Sequence, residues 1–174
     1  YNSLTANTTG NYNTAVGYEA LNGNTTGVEN TAIGNGSLKL NTTGGYNTAI
    51  GRISLNQNTE GQLNTAIGYN ALLANTTGTS NTAIGLNALS YNTTASYNTA
   101  VGMGALYDAN RTADANAYNT AIGYKAGDTG TNDITTGDKN VLVGASTAAS
   151  SATASNQIVI GYGAIGHGDN IAVI

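Results

Sequence analysis

The polar and apolar positions of this chain follow one short pattern, repeated along its length. The string Asn-Thr-Ala-Ile/Val-Gly ends at Gly17, Gly34, Gly51, Gly68, Gly85, Gly102 and Gly123. Looser versions end at Gly144 (Asn-Val-Leu-Val-Gly) and Gly161 (Gln-Ile-Val-Ile-Gly). Successive glycines lie 17 residues apart, except for two steps of 21 between Gly102 and Gly144. From Ser3-Leu4 to Ala105-Leu106 a small residue precedes Leu in each unit, as in Ala20-Leu21, Ser37-Leu38 and Ala71-Leu72, and it returns as Ala164-Ile165. An Asn-Thr-Thr-Gly type turn starts at Asn7, Asn24, Asn41, Asn58, Asn75 and Asn92. A 17-residue unit is too short for a pair of packed helices. Its segments are short, β-prone and punctuated by Gly, Asn and Thr, which is strand and turn chemistry. One unit per coil would stack equal strands in register, so that about nine coils spaced ~4.8 Å apart make a rod roughly 40–45 Å long. A single coil cannot bury its apolar positions, whereas stacked coils can. The expected class is all-β, a parallel β-solenoid of about nine coils.

The chain reads as a single repeat domain over 1–174. Coils are regular over 1–102, carry longer loops over 103–144 and are degenerate over 145–174. Both ends fall inside a repeat, so the expectation is a segment of a longer fibre. The four-residue insertions predict bulging loops at Ala109–Ala117 and Asp128–Asp138, on a rigid scaffold of the kind that carries binding loops.

Alternate residues of a strand point to opposite faces. Thr14 and Val16 therefore share one side, and Asn13, Ala15 and Gly17 the other. Val141 and Ile158 stand where earlier units carry Thr, which predicts that the Thr column points into the coil. Leu142 and Val159 stand where earlier units carry Ala, which predicts a second dry face covered by a neighbouring chain. The expected interchain column is Ala15, Ala32, Ala49, Ala66, Ala83, Ala100, Ala121, Leu142 and Val159. The Asn residues that open the strands, from Asn13 to Asn119, predict a ladder of stacked amides.

Composition narrows the function classes. Net charge is −4, only 8% of residues are charged, and Pro, Cys, Trp and Phe are absent. Disulfides and thiol chemistry are excluded. No Lys/Arg cluster favours nucleic acid, and no apolar run approaches the ~20 residues that span a bilayer. Neither nucleic-acid binding nor membrane insertion is expected.

Asn-Thr-Ala-Ile-Gly followed two residues later by Ala-Leu resembles the head repeats of YadA-type trimeric autotransporter adhesins. The Asn- and Thr-rich unit also resembles repeats of phage tail-fibre proteins. The resemblance covers nearly the whole chain. It implies a left-handed parallel β-roll, a homotrimer, and an extracellular place on a cell surface or virion tail fibre, in adhesion or host-receptor binding. Thr at the strand position where those repeats carry Val is a departure that implies a more polar interior.

Candidate chemistry is sparse. His167 and Asp169 flank Gly168, but no Ser or Cys lies in a nucleophile motif, and the pair reads as a solvated corner. Asp128, Asp133 and Asp138 recur at intervals of five without the Gly-bearing calcium-loop pattern, and read as a solvated loop. No enzyme, metal or cofactor is expected. Tyr is the sole aromatic, with eleven copies. Tyr12, Tyr46, Tyr97 and Tyr118 precede the strand Asn, while Tyr18, Tyr69, Tyr124 and Tyr162 follow the strand Gly. The second set is the candidate receptor-contact surface, because each ring carries a polar handle. Asn7, Asn24, Asn41, Asn75 and Asn92 match the glycosylation pattern, which the repeat alone explains. The expected function is a structural or adhesive fibre segment that presents a host glycan- or protein-binding surface. The alternative is an ice-binding solenoid using Thr arrays. An ice binder needs a flat, exposed Thr face; a fibre needs a buried Ala/Gly interchain face.

Overall fold

In a computed structural model that describes residues 1–109, 116–130 and 132–174, the chain is a parallel β-solenoid. Ten short strands form one sheet in sequence order: β1 (Thr14–Val16), β2 (Thr31–Ile33), β3 (Thr48–Ile50), β4 (Thr65–Ile67), β5 (Thr82–Ile84), β6 (Thr99–Val101), β7 (Thr120–Ile122), β8 (Val141–Val143), β9 (Ile158–Ile160) and β10 (Ala172–Val173). Every neighbouring pair is parallel, and equivalent positions of the repeat face each other: Thr48 pairs with Thr65, Ala49 with Ala66, Ile50 with Ile67. The register survives both longer units, since Thr99 pairs with Thr120 and Thr120 with Val141. The longer units leave the strands in line, and in the second of them Ile134 turns inward to join the core. The inserted segment 109–117 lies largely outside the described residues.

The strands are short because each coil turns on fixed chemistry. Thr and Ile are β-branched and sit well on a pleated surface. The Gly that follows bends the chain away: Gly51 adopts φ +132, and a Cβ there would lie 2.5 Å from the carbonyl oxygen of Gly68 in the next coil. The opposite corner uses Leu in the left-handed region, at φ 49–56 from Leu4 to Leu106. This conformation is costly for a branched side chain. From Leu21 to Leu106 the column is fully buried, and burying each Leu side chain contributes about 1.5–3 kcal/mol. Hydrogen bonds tie other sides of the coil to the next one, as in Leu38 N to Ser54 O at 3.0 Å and Thr25 N to Thr42 O at 3.0 Å.

Two amide ladders run through the rod. In the first, the predicted one, Oδ1 of each strand Asn accepts from the backbone N–H of the next, as Asn30 does from Asn47 at 3.0 Å. The second is built by the turn residues Asn7, Asn24, Asn41, Asn58, Asn75 and Asn92. Asn58 Nδ2 donates to Asn41 Oδ1 at 2.7 Å and to Gly61 O at 3.0 Å. From Asn24 to Asn92 these five side chains are fully buried, and ladders of this kind satisfy donors and acceptors between successive layers.

The face assignment of the strands is reversed from the sequence expectation. Ala32, Ala49, Ala66, Ala83, Ala100, Ala121, Leu142 and Val159 are all 0% exposed within a single chain, and Ala15 packs against the same cluster. They form the core of their own coil, not an interchain surface. The Thr column and the Ile/Val column point outward. Small Ala is required inside because Leu fills the space from the opposite corner. Where the corner shrinks, the strand residue grows: Gly127 and Ala148 stand at the Leu position of their units, and Leu142 fills the interior there. A Cβ on Gly127 would approach Leu106 to 2.8 Å and Leu142 to 3.1 Å. The larger residues at Leu142 and Val159 thus report interior volume, and Val141 and Ile158 make the outer face aliphatic at the last coils.

Candidate functional site

The outward positions of β1–β9 make one long face. Its two columns are Thr, giving way to Val141 and Ile158, and Ile/Val from Val16 to Ile160. The face carries no charge, and its apolar members stay open to water: Val16 is 58% exposed, Ile122 43% and Ile160 37%. Thr31, Thr48, Thr65, Thr82, Thr99 and Thr120 are half-buried, with Thr14 exposed.

Corner columns flank this face. On one side stand Tyr12, Tyr46, Tyr97 and Tyr118, all exposed and all at positive φ. The rings of Tyr97 and Tyr118 stack with centroids 4.9 Å apart and planes at 6°, the separation set by neighbouring coils. On the other side stand Tyr18, Tyr69, Tyr124 and Tyr162, also exposed. They share one column, interrupted by other side chains: Arg52 Nη1 donates to the Tyr69 hydroxyl at 3.1 Å, with the guanidinium carbon 5.4 Å from the ring centroid.

A third feature was only partly visible in the sequence. Asp128 and Asp133 of the inserted loop meet Asp108 of the preceding coil, with one carboxylate oxygen of each inside 4.8 Å of the others. Asp138, the third member of the sequence triplet, lies apart and accepts from the Ser155 hydroxyl. Asp133 Oδ1 accepts from the backbone N–H groups of Thr129 at 2.5 Å and Gly130 at 2.7 Å, which ties down the loop start. Burial, then the charge of Asp133, pushes Asp128 up to about 6, with Lys125 opposing. Burial, then Asp133, also raises Asp108. A proton held on Asp128 relieves the repulsion. Beside this cluster Tyr107 meets Tyr91 edge-on at 4.9 Å. Its hydrogen bond to Tyr91, reinforced by burial, pushes its phenol up to about 12. Leu86, Met103, Gly104 and Lys125 close a cavity of about 170 Å³ against Tyr107 and Asp128.

The remaining sequence candidates separate. Asp169 Oδ1 accepts from Ser155 N at 2.8 Å and Gln157 Nε2 at 3.3 Å, while exposed His167 stands without a hydrogen bond to it among the described residues. No base and orienter pair forms there. The glycosylation-pattern residues Asn24, Asn41, Asn75 and Asn92 are 0% exposed, with their amides committed to the second ladder, so the folded rod withholds them from any transferase. Among the described residues no helix is long and apolar enough to cross a membrane. No family model, curated protein or solved structure matches the chain.

Proposed function

We propose that this chain is a stiff segment of an extracellular fibre, non-catalytic, that associates with copies of itself through the Thr and Ile/Val face and presents its tyrosine-bearing corners to host-surface glycan or protein. The observation that carries this reading is the uncharged, periodic face left open on a rigid rod. Nine coils at ~4.8 Å give it a length of roughly 43 Å, and seven residues from one flanking column to the other give a width of roughly 20 Å. The product, on the order of 800 Å² per partner, is the size of a standard stable interface. A surface with this pitch is matched at every coil only by another with the same pitch, which points to a second copy of this chain. The YadA-type and tail-fibre resemblance supports a homotrimer of left-handed β-rolls on a cell surface or virion as the form of that assembly. Absolute mass by light scattering tests it: three chains are expected, and a stable monomer overturns the reading.

A second reading draws support from one observation. The Thr column faces outward in an in-register array, which is one of the features an ice-binding face needs. Val141 and Ile158 interrupt that array at one end, which favours apolar association over water ordering. A monomer showing thermal hysteresis that Thr65→Leu abolishes would establish ice binding in its place.

A further inference from the structure

Along the corner column that follows each strand Gly by two residues, Asn70 and Asn87 begin a short ladder: Asn70 Nδ2 donates to Asn87 Oδ1 at 3.0 Å. The next rung is Gly104, at φ +67, and it has no side chain to continue the ladder. The gap is real space, because a Cβ there would meet only Lys125 Cγ at 3.4 Å and Asp128 Oδ2 at 3.6 Å, both ordinary contacts. Asn87 Nδ2 is left with no hydrogen-bond partner among the described residues. The missing rung opens the 170 Å³ cavity.

The walls of this notch differ in chemistry. Leu86 and Met103, 41% and 42% exposed, form an apolar strip across two coils. Tyr107, its hydroxyl engaged with Tyr91, adds a ring wall. Asn87 offers an amide donor, Lys125 an ammonium and Asp128 a carboxyl acceptor, all on the same rim. An apolar strip with a few convergent polar groups is the make-up of a small-ligand pocket, here below the roughly 300 Å³ that drug-sized ligands need. The ligand that fits has one apolar face, several hydroxyls able both to donate and to accept, and the size of a single ring. The local charge disfavours anions, since three clustered carboxyl groups stand near one ammonium.

We propose that the notch at Gly104 is a binding site for one uncharged hexose unit of a surface glycan, with the C–H face of the ring on Leu86 and Met103 and its hydroxyls on Asn87, Lys125 and Asp128. This rests on the reading of the rod as a presenting surface, and it places the contact at a corner that the Tyr column alone does not mark.

The chain has a single methionine, so a protein labelled with ¹³C at the methionine methyl gives one resonance, from inside the site. The full chain is titrated with methyl glucoside, methyl galactoside, methyl mannoside, glucuronate and Ca²⁺, each alone and to about 50 mM, far above a ~1 mM dissociation constant. The expected result is a saturable shift of the Met103 methyl with at least one neutral hexoside and none with glucuronate. Gly104→Asn fills the notch and supplies the missing rung. Asn70 and Asn87 already hold that backbone conformation at φ 57 and 58, so the variant keeps the fold and weakens the hexoside tenfold or more. Three outcomes overturn the site: a methyl unmoved by every hexoside, a shift with Ca²⁺ alone, or hexoside binding unchanged in Gly104→Asn. Mass by light scattering is measured on the same samples. A silent methyl on a trimeric rod removes only this site, whereas a monomer with a working notch removes only the self-association.

Discussion

Asn58 shows how much one side chain of this rod holds. Its amide donates to Asn41 and to Gly61 O, and its Oδ1 accepts from Asn75 at 2.8 Å, all in full burial. Asn58→Leu removes three hydrogen bonds and leaves the amide of Asn75 and the carbonyl of Gly61 without that partner inside the coil. Each orphaned buried group costs about 1–3 kcal/mol, so the variant is expected to lose roughly 2–5 kcal/mol. Stacked repeats open locally, so the loss should appear as faster amide hydrogen exchange centred on the coils of Asn41, Asn58 and Asn75. Uniform exchange across the rod would contradict that. Asp128 gives the residue scale a pH dependence. Its folded pKa lies above the ordinary carboxyl value, at about 6. Its contribution is therefore fully present below the unfolded value near 4 and is lost as pH rises through about 6. Asp128→Asn removes that loss. It should stabilise the loop coil by about 1 kcal/mol at pH 8, after discounting for solvent screening, and do little at pH 4. Equal effects at both pH values would contradict the assignment.

At the scale of the coil, stability depends on how interior volume is shared between strand and corner. Most coils put Ala on the strand and Leu at the corner; the coil of β8 puts Leu142 on the strand, with Gly127 and Ala148 near it. Leu142→Ala alone should cost about 2–5 kcal/mol by leaving a cavity. Gly127→Leu alone should cost about 1–3 kcal/mol by overpacking against Leu106 and Leu142. The double variant restores the common arrangement, and a denaturation cycle should show that its cost falls short of the sum by 1 kcal/mol or more. Additive costs would mean that the two positions do not share one space. The same compensation explains what could be read from the sequence and what could not. The period of 17, with Gly at each strand end and Asn at each turn, fixes the stack and its register without coordinates, because those residues act through local geometry. Parity gave the alternation of faces but not which face was inside. Val141 and Ile158 do not decide the face, since an aliphatic residue is as compatible with an uncovered outer face as with a core, and Ile158 is in fact exposed. The second Asn ladder was hidden because Asn-Thr-Thr-Gly reads as an exposed turn, and only stacking at full repeat spacing buries the amide. The acidic cluster needed Asp108, which is 20 residues before Asp128 and one coil away in space.

For the whole molecule the two strand faces make opposite predictions, and one pair of variants separates them. Ala83 is 0% exposed and faces the Leu column, so Ala83→Arg drives a charge into a space filled by Leu. It should unfold its coil and its neighbours at a cost well above 3 kcal/mol, seen as lost β-sheet circular dichroism whatever the state of association. Ile84, the next residue, points outward and is 37% exposed. Ile84→Lys leaves the coil interior untouched, so the monomer fold and its circular dichroism should persist. In an assembly built on the Thr and Ile/Val face, the same change sets one ammonium per chain into an apolar layer at mid-rod. Copies of the charge meet each other there without a partner, and desolvation adds to their repulsion. Light scattering should then report a folded single chain for Ile84→Lys where the parent gives three. If Ile84→Lys stays trimeric, the face at mid-rod is not the contact, and the exposed apolar residues of the corner columns become the next surface to test. If the parent is itself monomeric, Ile84→Lys should be silent in mass, and the open Thr array is then the feature for which a function must be sought.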